Sequence, residues 1–72
     1  MEVKKAILME FANSPAGSIG TDEITAVIHR VSDKNGCPLA DVWNVFAECI
    51  KEGSVRFRRE TQEYYIDGRH NA

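Results

Sequence analysis

The chain changes its apolar period once, at Gly53, and that switch limits what it can fold into. Before it, Leu39, Val42, Trp43, Phe46 and Ile50 converge on one face at helical spacing, with Cys49 at the edge. After it, Val55 and Phe57 alternate with Arg56 and Arg58 in the period of a half-buried strand. Glu60-Thr61-Gln62-Glu63 then makes a polar tip, and Tyr64-Tyr65-Ile66 returns. Gly53 supplies the left-handed conformation on which a helix can stop. The segment predicts a strong amphipathic helix followed at once by an arginine-bearing β-hairpin.

Two more helices are expected upstream. Val3, Ile7, Leu8 and Phe11 form one apolar face from about residue 2 to residue 12, and Asn13-Ser14-Pro15 ends it, because a residue before proline avoids the helical region. Ala16-Gly17-Ser18-Ile19-Gly20 reads as turn material in which Ile19 can form a short strand against the later hairpin. Thr21 is expected to cap the second helix, with Asp22 and Glu23 in its first turn, where the helix dipole favours negative charge. Ile24, Val27, Ile28 and Val31 form its inner stripe, and Ser32-Asp33-Lys34-Asn35-Gly36 is expected to break it. The third helix is expected to start at Gly36 or Cys37, with Pro38 in the first turn, where it costs no hydrogen bond.

Seventy-two residues make one small domain, whose core is expected to span about residues 2–67 with a frayed tail at 68–72. No apolar run approaches the ~20 residues of a membrane span, and the first residues lack the apolar centre of a signal peptide, so a cytoplasmic protein away from membranes is expected. The formal net charge is −2 and unevenly spread. Residues 1–54 carry five Lys/Arg against eight Asp/Glu, whereas residues 55–72 carry four Arg against three acids. Positive charge therefore concentrates in the hairpin.

The order of helix, short strand, helix, helix and two-stranded hairpin resembles the winged helix-turn-helix family over about residues 2–67. The local matches are Ser14 to Ile24, like the family's approach to its second helix, and Ile50 to Ile66, like its exit into the wing. The resemblance implies an α+β, mainly helical fold, with three helices and a C-terminal two-stranded wing. It also implies that the third helix enters the DNA major groove while the wing touches the neighbouring backbone. The link from Ser32 to Pro38 departs from the pattern, being longer than a tight helix-helix turn.

Two ligand classes follow. In the first, a small DNA-binding transcriptional regulator reads double-stranded DNA through Asn44, and Arg56, Arg58 and Arg59 clamp phosphates with Lys34, His29 or Arg30 from the second helix. Such clamps are few, so useful affinity is expected to need a homodimer or a larger complex. In the second, the acidic side of the third helix, Asp41, Glu48 and Glu52, docks on a basic protein partner. Carboxylates beside phosphates are repelled, which favours the second class; the resemblance favours the first. Tyr64 and Tyr65 alternate in direction, so one is expected on the core and the other beside Arg56 or Arg58. Met9 and Ala6 fall on the outer side of the first helix, where they can make a small self-association patch.

Catalysis has little to stand on. Cys37 and Cys49 are about 18 Å apart along one helix, beyond disulfide reach, and with only His29 and His70 beside them the close ligand spacing of a zinc site is missing. No nucleophile motif or phosphate-cradling loop is present in the sequence. Neither an enzyme nor a bound cofactor is expected.

Overall fold

In the computed structural model, which describes residues 3–66, the chain forms three helices and a three-stranded antiparallel sheet, an α+β and mainly helical arrangement. The helices are α1 (Val3–Ala12), α2 (Ile24–Asn35) and α3 (Leu39–Glu52). The strands are β1 (Ser18–Gly20), β2 (Val55–Arg58) and β3 (Glu63–Ile66), in the order β1-β3-β2. Ile19 thus enters the sheet as anticipated, opposite Tyr64, and the hairpin pairs Val55 with Ile66 and Phe57 with Tyr64. The tail 68–72 lies outside the described residues.

The core follows the apolar stripes. Ile7 and Phe11 from α1, Ile24, Val27, Ile28 and Val31 from α2, and Val42, Phe46 and Cys49 from α3 are buried with Ile19 and Val55 of the sheet. Phe46 sits where the layers meet. Its ring stacks on Phe11 at 6.4 Å and takes edge contacts from Trp43 at 6.0 Å and Tyr64 at 5.1 Å. Helix α1 is fastened to the far end of α3 by the Lys4–Glu52 ion pair, and to α2 by Arg30 and Glu10 at 3.1 Å.

Several boundaries differ from the sequence expectation. Thr21 does not cap α2, which starts at Ile24. The Thr21 N–H donates instead to the Gln62 carbonyl at 3.1 Å, and the Glu23 N–H closes a turn onto Gly20, so Thr21 to Glu23 are spent joining sheet to helix. Nor does α2 break at Ser32. It runs to Asn35, whose side-chain amide donates to the Val31 carbonyl, and ends on Gly36 at φ +62. The link to α3 shortens to Gly36-Cys37-Pro38, held by the Ser32 hydroxyl donating to the Cys37 carbonyl at 2.6 Å. Helix α3 begins at Leu39, one residue after Pro38, whose carbonyl accepts from Asp41 and Val42.

The buried face of α3 is also rotated from the expected one. Cys49 is buried and Ile50 is 39% exposed, with Val42 and Phe46 completing the buried side of the helix. Phe57, expected inward, is 43% exposed: it lies on the helix-facing side of the hairpin but packs only against Tyr64 at 5.0 Å among the aromatic rings described.

At Gly53, φ is +92 and a methyl group would meet nothing within 4 Å, so the cost of substitution there is conformational rather than steric. Gly53→Ala should lower stability by about 1–2 kcal/mol in urea unfolding, and Gly53→Asn by less, since asparagine tolerates the left-handed region. Equal losses for the two would disprove this.

Candidate nucleic-acid interface

Strand alternation divides the hairpin into two faces. Val55, Phe57, Tyr64 and Ile66 turn toward the helices, and Arg56, Arg58, Glu63 and Tyr65 turn away. The Arg58 guanidinium lies over the Tyr65 ring, 4.7 Å from its centre, with Glu63 directly opposite in the register. The expected division of the two tyrosines is therefore realised, Tyr64 on Phe46 and Tyr65 under an arginine. Stacking limits the orientations of Arg58 while leaving its N–H groups available to an acceptor. Arg59 is the first residue of the turn, which ends on Gln62 at φ +53. All three arginines are exposed.

Helix α3 presents to solvent a row that the acidic residues obscure in the sequence. Ala40, Asn44, Ala47 and Lys51, spaced four, three and four apart, are exposed and opposite the buried Val42, Phe46 and Cys49. Asp41 and Glu48 flank this row on one side only. Asp41 lies in the first turn and Lys51 in the last, where each favours the helix dipole, so part of this charge pattern has a structural cause. The row was missed because two alanines carry no polarity, and only an exposure pattern identifies them.

The remaining candidates lie elsewhere. Arg30 spends its guanidinium on Glu10, and Lys34 lines a groove between α1 and α2, so both belong to the side of α2 that faces α1. His29 is exposed on α2. Glu52 is engaged with Lys4 and accepts from the Ser54 hydroxyl, so it fastens the end of α3 rather than extending the acidic side. Asp41 and Glu48 make no ion pair among the described residues.

Among the described residues there is no cluster of three or more metal-binding side chains, and no helix is long and apolar enough to cross a membrane. Burial pushes the Cys49 thiol up, and Glu52 and Glu48 act in the same direction against Lys4. The chain matches no family model, and no curated protein or solved structure is significantly similar to it.

Cys37 is half-buried and Cys49 buried. A disulfide-exchange reagent at neutral pH should modify Cys37 in the native protein and reach Cys49 only on unfolding; simultaneous reaction would contradict the packing. The folded state holds the Cys49 proton more tightly than the unfolded chain does. Its contribution to stability is therefore intact below the ordinary thiol value of about 8.5 and is lost as pH rises from there through the raised value of the folded state.

Proposed function

We propose that the chain is a small winged-helix DNA-binding protein that acts in transcriptional regulation. In this reading α3 enters the major groove through the row Ala40, Asn44, Ala47 and Lys51, and the hairpin sets Arg56, Arg58 and Arg59 on the backbone beside it. The observation that carries the reading is the presence of an exposed α3 row together with a hairpin whose exposed Arg58 is stacked on Tyr65. The short link Gly36-Cys37-Pro38 supports it too, since it holds α2 and α3 as a close helix-turn-helix pair.

The side chains suit those roles. Alanines let the helix backbone approach the base edges and touch a thymine methyl, Asn44 can bond an adenine edge bidentately, and Lys51 meets a phosphate. Three arginines and one lysine give a binding constant that falls with salt at a logarithmic slope of about −3 to −4, which is a weak monomeric binder at physiological salt.

A second reading has its own support. Asp41 and Glu48 are exposed and outside any ion pair among the described residues, so they could meet a basic protein surface. The two readings part on substitution.

With fluorescently labelled duplexes at low salt, Arg58→Ala should weaken binding about equally for all sequences and reduce the salt slope by about one. Asn44→Ala should instead flatten the preference among sequences, losing about 1–3 kcal/mol at its one base pair. Failure of the wild-type protein to bind any duplex at low salt would reject the DNA reading. The protein-docking reading would then be tested by whether Asp41→Lys with Glu48→Lys abolishes partner capture.

A further inference from the structure

The groove between α1 and α2 has no part in the DNA reading. It encloses about 580 Å3, and its walls include Lys5, Ala6, Met9, Glu10 and Lys34. Met9 is 54% exposed, more than any other large apolar side chain of the described residues. Glu10 is already neutralised by Arg30. The groove is thus an apolar floor between two exposed cations, Lys5 and Lys34, neither in an ion pair among the described residues. It suits a helix that carries an apolar residue between two carboxylates.

The chain has such a helix edge itself. Asp41, Val45 and Glu48 fall at i, i+4 and i+7 on one side of α3, with the two exposed carboxylates about 10 Å apart along the axis and a half-buried valine between them. We propose that the Asp41–Val45–Glu48 edge of one copy docks in the α1–α2 groove of a second copy. The carboxylates then meet Lys5 and Lys34, and Val45 meets Met9. Charge complementarity selects this occupant: the groove's net charge is positive and the edge's negative.

Because groove and edge are different surfaces, the contact is head to tail, and each copy of a pair keeps its other surface for a further neighbour. The contact area is small, so association is weak in free solution and favoured where copies are held side by side. If the DNA reading holds, the neighbour's lysines cover the two carboxylates that repel phosphate, and binding along a duplex becomes cooperative. That consequence rests on the DNA reading, whereas the contact does not.

The test is sedimentation velocity without DNA, on wild-type protein and on Lys34→Glu and Glu48→Lys. Both substituted sites are exposed, and unchanged thermal melts will confirm the fold. Wild-type mass should rise with concentration and fall with salt, and either variant alone should associate at least about tenfold more weakly. An equimolar mixture of the two variants should associate again, because each copy's surfaces complement those of the other. A wild-type protein that stays monomeric at every concentration and low salt overturns the proposal. So does association that the single variants leave unchanged, or that mixing fails to restore.

Discussion

The packing of Phe46 is the contact on which the rest of the molecule depends. One ring on α3 touches Phe11 of α1 and Tyr64 of β3, and Trp43 closes over it from the same helix. A chain this short has about 4–11 kcal/mol of stability, at about 0.05–0.15 kcal/mol per residue. Truncating a buried phenylalanine costs about 3–5 kcal/mol, and each aromatic pair adds about 0.5–1.5 kcal/mol beyond its area. A large share of the fold therefore passes through one side chain, and the same side chain joins the hairpin to the helices.

This changes what the hairpin is. An isolated two-stranded ribbon is marginal in water. Here β3 is the central strand, paired on one side with β2 and on the other with β1, and Val55 and Tyr64 seat the ribbon on the helical body. The arginines on its outer face are carried on an ordered support, and Arg58 has a further constraint from Tyr65. Ordering them on an acceptor then costs less side-chain entropy than it would on a free loop.

The periodic parts of the chain were legible in advance. The three helices, the stop at Gly53, the strand at Ile19 and the opposite fates of Tyr64 and Tyr65 follow from spacing and backbone preference, which are local properties. What the sequence hid was tertiary. Thr21 has the chemistry of a cap, yet it lies in a turn ahead of α2, which starts only at Ile24, and its N–H ties that turn to Gln62, forty-one residues away. Asn35-Gly36 looks like the centre of a loop but closes a helix, because Asn35 can bond back to Val31. The exchange of Ile50 for Cys49 at the core depends on which side of α3 the rest of the chain covers, which helical spacing alone does not fix. The candidate interface was half visible: arginines stand out by charge, while Ala40 and Ala47 stand out only once their exposure is known.

The acidic residues of α3 then separate by role. Glu52 is structural, Asp41 favours its helix dipole, and Asp41 with Glu48 leaves the row Ala40-Asn44-Ala47-Lys51 clear on its other side. The central claim is that this row and the hairpin arginines form one surface. A residue-by-residue amide titration of the labelled protein with mixed-sequence duplex DNA at low salt addresses it directly. Shifts at Ala40, Asn44, Ala47 and Lys51 that rise together with those at Arg56, Arg58 and Arg59 are the expected result. A spectrum left unmoved, or one in which only the Lys5, Met9 and Lys34 side responds, would contradict it.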